Sequence, residues 1–68
     1  MNIIVKGAKT LKEYKLKRAA IMKMAMKFAE QWGHGVPETA WIDRGFIYIV
    51  YLDGSRWRYT VAGEVVQE

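Results

Sequence analysis

Few residues in this chain could carry covalent chemistry. Its single histidine, His34, lies within Gly33-His34-Gly35, with Glu30 and Glu38 close by in sequence. Imidazole beside carboxylates is raw material for a metal site or an acid–base pair. A metal site normally needs three or four protein ligands, and this chain has no cysteine and no second histidine. A lone histidine after a helix C-terminus more often caps the helix or meets its dipole. The Gly-His-Gly triplet is not a phosphate loop, because no Gly-Lys-Ser/Thr follows it. Asp43 and Asp53 are needed by their turns, and Ser55 has no base beside it in sequence. No catalytic residue, metal ligand or cofactor is expected, and the chain reads as a non-enzyme.

Recognition is better represented. The stretch Tyr51–Tyr59, YLDGSRWRY, sets two arginines among aromatics after an Asp-Gly turn signal. A two-residue turn at Asp53-Gly54 would fix the hairpin register. Phe46, Tyr48, Val50 and Leu52 would then share the core side with Trp57, Tyr59 and Val61. Ile47, Ile49 and Tyr51 would face outward with Arg56 and Arg58. Trp41 depends on the preceding turn. A three-residue turn at Asp43-Arg44-Gly45 pairs Ile42 with Phe46 and turns Trp41 outward, whereas a shorter one puts it in the core. The Asp-Arg-Gly chemistry favours the longer turn. The expected binding face is therefore Trp41, Ile47, Ile49, Tyr51, Arg56 and Arg58, a residue mix typical of binding surfaces. The competing expectation is that the N-terminal strand, the C-terminal tail or a second copy covers this face.

A second surface comes from charge. The net charge is +4, unevenly spread. Residues 1–35 carry eight cations against Glu13 and Glu30, a balance of +6, while residues 36–68 stand at −2. Lys12, Lys15, Lys17, Arg18, Lys23 and Lys27 all fall on one predicted helix. Only Glu13–Lys17 makes a well-oriented i,i+4 pair there. Such asymmetry points to an acidic partner, whether protein or nucleic acid. A solvated lysine face that only maintains solubility is the plainer alternative.

The elements that must position these groups are legible. The 68 residues suit a single domain over 1–68. Asn2–Lys6 reads as a short strand. Thr10-Leu11-Lys12-Glu13 has capping-box form, a helical period runs from there to Trp32, and Gly33 ends it. Tyr14, Ile21, Ala25, Phe28, Ala29 and Trp32 fall on one helix side at ~100° per residue. Only the second half of that stripe is clean, so the basic N-terminal turns are expected to project past the sheet. Met22, Met24 and Met26 read as gap-fillers. Beyond Pro37 the period becomes two, giving an antiparallel three-stranded meander over about 39–61 and a short edge strand at Val65-Val66. The fold class is α+β: one basic helix, about 10–32, packed on that sheet.

The order of strand, basic helix and meander, together with the Asp-Gly-x-Arg-Trp hairpin, resembles small phage-encoded inhibitors of the anti-CRISPR kind. The resemblance covers element order and that one hairpin, and it carries no site residue over. It implies a non-enzymatic block on a nucleic-acid-handling complex. The expected partner is then an acidic or nucleic-acid-handling protein, with direct DNA or RNA binding as the alternative. A membrane-surface role ranks last, because the sheet needs the helix's apolar face. A monomer or weak homodimer is expected. The lack of cysteine and of a long apolar run fits the cytoplasm.

Overall fold

The structure, a computed structural model, describes residues 1–66. Its elements are β1 (Asn2–Ile4), α1 (Leu11–Trp32), β2 (Pro37–Asp43), β3 (Phe46–Tyr51), β4 (Arg56–Thr60) and β5 (Val65–Val66). They build an α+β fold in which α1 packs on one face of a five-stranded sheet ordered β1-β2-β3-β4-β5. β1 runs parallel to β2, and every other pair is antiparallel. A parallel neighbour needs a long crossover, and α1 is that crossover.

The helix begins and ends where its local chemistry dictates. The Thr10 hydroxyl accepts a hydrogen bond from the Glu13 N–H at 3.1 Å, satisfying one orphan donor of the first turn. Gly33 takes the left-handed conformation, φ 66°, and donates its N–H to the Ala29 carbonyl. The expected Glu13–Lys17 pair is present at 3.3 Å, exposed and therefore worth little. Of the predicted apolar stripe, Ile21, Ala25, Phe28 and Ala29 are buried, at i, i+4, i+7 and i+8. Tyr14 and Trp32 are not: both are exposed. Met22 and Met24 pack partly against the core and Met26 stays outside.

The four buried helix residues meet Ile3, Ala40, Ile47, Ile49, Tyr51 and Tyr59 from the sheet. Alanines at 25 and 40 leave room for the helix to approach the strands closely. Gly63 is under similar pressure from the other side. Its φ is +96°, and a Cβ there would lie 3.0 Å from Phe28 Cε1, so a side chain in the β4–β5 turn would strain the backbone and crowd Phe28.

The two hairpin turns exchange the lengths expected of them. The β2–β3 turn has two residues, Arg44 and Gly45, with φ 53° and 82°, and pairs Asp43 with Phe46. The β3–β4 turn has three, Leu52, Asp53 and Gly54. Gly54 N–H donates to the Tyr51 carbonyl and Tyr51 N–H to the Ser55 carbonyl, both at 2.9 Å. Gly54 at φ 87° completes a type I turn with a following bulge. One extra turn residue moves β3 by one position against β4, and a one-residue slip reverses every side chain. Ile49 thus opposes Trp57, and Tyr48 opposes Arg58.

The expectation that Ile47, Ile49 and Tyr51 face outward is therefore corrected. They are 0 %, 0 % and 1 % exposed and form the centre of the core. Phe46, Tyr48 and Val50 take the outer side instead, while Leu52 and Val61 are exposed. Trp57 and Tyr59 keep the expected core side, and Arg56 and Arg58 the outer side. Trp41 also lies outward, opposite Tyr48 rather than Ile47, because the two turn errors cancel on β2.

This register is open to a direct test. Ile49→Ala should lower unfolding free energy by about 2–5 kcal/mol, as a buried large-to-small change does. Val50→Ala, on the outer face, should cost less than about 1 kcal/mol. Urea denaturation of both variants measures the difference, and equal losses would contradict the register.

Candidate functional site

The register assembles a face on the side of the sheet away from α1. One transverse row crosses all five strands: Ile4, Trp41, Tyr48, Arg58 and Val66, each paired with the next. At about 4.8 Å between strands the row is ~19 Å long. A second row sets Asp43, Phe46 and Thr60 side by side, and a third sets Asn2, Thr39, Val50 and Arg56. The Trp41 and Tyr48 rings lie nearly parallel, with centroids 5.3 Å apart and planes 6° apart. The Arg58 guanidinium carbon stands 4.8 Å above the Phe46 ring centre, in cation–π range. Cross-strand ring and guanidinium pairs of this kind stiffen the face in addition to decorating it.

Neither flanking strand covers this face. β1 and β5 extend the sheet at its two edges, and among the described residues no element packs over the row. Of the expected binding residues, Trp41, Arg56 and Arg58 are gathered here, and Ile47, Ile49 and Tyr51 are not. Phe46, Tyr48 and Val50 replace them. The signal that could have found them was turn length alone, since β3, FIYIVY, is apolar on both faces. Ile4 and Val66 were out of reach from sequence because they join the row only through sheet order.

The basic residues lie on the other layer. Lys12, Lys15, Lys17, Lys23 and Lys27 are exposed on α1 and Arg18 is half-buried. The structure therefore does not merge the cationic and aromatic surfaces, which are separated by the core. No helix among the described residues is long and apolar enough to cross a membrane.

A third group of residues closes the C-terminal end of the helix. His34 does not cap α1, since Gly33 does. Its imidazole instead stacks on Trp57, with centroids 3.6 Å apart and planes 13° apart, and Trp32 lies in a similar orientation at 6.3 Å. His34 Nδ1 is 2.7 Å from the Tyr59 hydroxyl, which is 2.5 Å from the Tyr51 hydroxyl. The Trp32 indole N–H donates to the Gly63 carbonyl at 2.9 Å.

Proton counting orders this chain. Tyr51 is buried, and among the described residues its hydroxyl bonds to Tyr59 alone. If Tyr51 donates to Tyr59, and Tyr59 donates to His34 Nδ1, every buried hydroxyl proton has an acceptor. In the reverse direction the Tyr51 proton is left without one, which costs about 1–3 kcal/mol. The network thus selects the imidazole with its proton on Nε2. Burial drives the Tyr59 phenol far above its ordinary range, and the bond to Tyr51 and the charge of an ionised Tyr51 raise it further. Burial also raises Tyr51, partly offset by its bond to Tyr59. Both phenols therefore stay neutral near pH 7.

Two measurable consequences follow from this network. Tyr59→Phe strands both the Tyr51 hydroxyl and His34 Nδ1, whereas Tyr51→Phe only removes one donor to Tyr59. Tyr59→Phe should therefore be the more destabilising, by roughly 1–2 kcal/mol, in urea titrations. Both phenols titrate higher in the folded protein than the ordinary 10.0. Their contribution is therefore complete below pH 10 and lost above it, as the unfolded chain releases its protons first. Melting temperature should fall above about pH 10, and more gently in the two phenylalanine variants.

No protein-family model, curated protein or solved structure matches the chain.

Proposed function

We propose that this protein is a small non-enzymatic binding protein, an inhibitor or adaptor, that docks its outer sheet face on a nucleic-acid-handling protein or nucleoprotein. The observation that carries the reading is the transverse row Ile4, Trp41, Tyr48, Arg58 and Val66 on a face no described element covers. A folded chain this small ordinarily spends its large side chains on the core. Here Trp41, Phe46 and Tyr48 sit on the opposite side, interleaved with arginines, where they add nothing to the packing against α1. Aromatic and arginine side chains are the commonest anchors of protein interfaces. The lysines of α1 face away from this surface, which suits an adaptor: one layer meets a protein and the other attracts the anion that protein handles. An inhibitor of the phage-encoded, anti-CRISPR kind is one form this function takes, supported by the element order and the hairpin.

One observation favours a second reading. The parallel Trp41 and Tyr48 rings offer π faces of the kind on which single-stranded bases stack. Direct DNA or RNA binding would use that platform, with Arg56 and Arg58 beside it. The protein reading ranks first because Ile4, Val50 and Val66 make the face more apolar than phosphate contact requires.

The deciding experiment is a pull-down from a plausible host, with and without nuclease, followed by titration of the captured partner. Trp41→Ala and Tyr48→Ala should each weaken binding by ~2 kcal/mol or more, chiefly through faster dissociation, with the fold intact. Replacing Lys12, Lys23 and Lys27 with glutamine should instead slow association and flatten its salt dependence. Binding to single-stranded DNA that depends on Trp41 and survives without any protein would transfer the function to the second reading.

A further inference from the structure

α1 is longer than the sheet beneath it can use. It has 22 residues, ~33 Å at 1.5 Å per residue. All its buried residues lie between Ile21 and Ala29, and none lies in residues 11–20. Leu11 is 68 % exposed and Leu16 64 %. The N-terminal half therefore overhangs. Under its inner end, on the helix side of the sheet, a cleft of about 220 Å³ is lined by Val5, Lys6, Lys17, Ala20, Ile21 and Ile42.

We infer that this cleft is a docking site for an acidic protein segment, which inserts an aliphatic side chain between Val5, Ile21 and Ile42 and sets carboxylates against Lys6 and Lys17. The inference concerns a different surface from the outer sheet face and does not depend on that reading. Three properties of the cleft choose the occupant. Its volume is below the ~300–1,000 Å³ of small-molecule sites, so it suits one or two side chains of a larger partner. Its apolar walls are aliphatic, whereas a nucleic-acid base stacks on rings. Its charge is cationic: Lys6 and Lys17 are among its six lining residues, and none of the six is acidic.

That charge is unfavourable for the isolated protein. Lys6 and Lys17 stand on the same cleft, and the Glu13–Lys17 contact at 3.3 Å is exposed and weak, so a partner carboxylate can share or replace it. Carboxylates arriving from a partner would relieve the mutual repulsion of Lys6 and Lys17.

The test uses the full chain and a synthetic peptide in which a leucine pair is flanked by glutamates. Methyl-resolved NMR of the titrated protein should show Val5, Ile21 and Ile42 shifting, with Ile4, the reporter on the outer face, unmoved. Ala20→Phe fills the cleft from an exposed helix position and should weaken the peptide about tenfold, or ~1.4 kcal/mol. Serine in place of the leucines should do the same. Lys6→Gln with Lys17→Gln should weaken binding and flatten its salt dependence. An Ala20→Glu variant repeats the blockade by charge if Ala20→Phe perturbs the amide spectrum. Unshifted methyls, or equal affinity for the serine peptide or for the filled cleft, would overturn the proposal. Shifts confined to Ile4 would overturn it while leaving the outer-face reading standing. A single-stranded oligonucleotide moving the same three methyls more strongly than the peptide would overturn the choice of occupant.

Discussion

The turn at Leu52-Asp53-Gly54 governs what this protein presents to its surroundings. It is closed by the Gly54 N–H to the Tyr51 carbonyl and by the Tyr51 N–H to the Ser55 carbonyl. The Asp53 carboxylate secures it, accepting from the Ser55 hydroxyl at 2.6 Å and from the Ser55 N–H at 2.9 Å. Those bonds hold the Asp53 carboxyl below its ordinary range. Because β3 is apolar on both faces, hydrophobic burial alone would tolerate either register. A few local hydrogen bonds therefore decide whether isoleucines or large rings fill the core. With Ile47 and Ile49 inside, the sheet approaches α1 closely, and Phe46, Tyr48 and Val50 are left as the outer face.

The second constraint is the mismatch between helix and sheet. A strand of six residues, such as β3, covers ~20 Å, and the helix exceeds that by about two turns. Only its second half has a stripe worth burying, and only that half is buried. The remainder is held by Thr10 at its start and by continuity with the packed half. An isolated helix of that length would be marginal. The chain thus keeps a cationic arm that its own packing does not require. It keeps that arm on the opposite layer from the aromatic row, so a partner meets one surface or the other unless it wraps around the molecule.

The helix's far end is fixed in a different way. Polar groups enter the core there, and each has an assigned partner: Tyr51 to Tyr59, Tyr59 to His34, and Trp32 to the Gly63 carbonyl. A buried polar network is stabilising only when complete. Stacking of His34 on Trp57 ties the loop after α1 to β4, and the Trp32 bond ties α1 to the β4–β5 turn. Gly63 suits the turn because its φ is +96° and a Cβ would crowd Phe28 at 3.0 Å. Anchoring at this end explains how the other can overhang without loosening the core.

Much of this was readable from residue order. Thr10 and Gly33 marked the helix, because capping depends on groups within a few residues of each other. The i, i+4, i+7, i+8 spacing of Ile21, Ala25, Phe28 and Ala29 marked its buried half. Alternation in Arg56–Tyr59 put Trp57 and Tyr59 inside and the arginines outside, because a charged neighbour makes the two faces of β4 unequal. In β3 the faces are equal in hydrophobicity, so the pattern carried no information and the turn lengths decided. Asp-Arg-Gly and Leu-Asp-Gly each suit a turn of two or three residues, and residue type alone does not say which set of closing hydrogen bonds, such as those among Tyr51, Gly54 and Ser55, forms. His34 was placed by tertiary structure alone. Its site is made of Trp57, Tyr59 and Tyr51, which lie 17 or more positions away along the chain. The outer row has the same origin: Ile4, Trp41, Tyr48, Arg58 and Val66 become neighbours only through strand pairing. Local chemistry acts over one turn of chain and is written in sequence, whereas a surface drawn from five strands exists only once all five are hydrogen-bonded side by side.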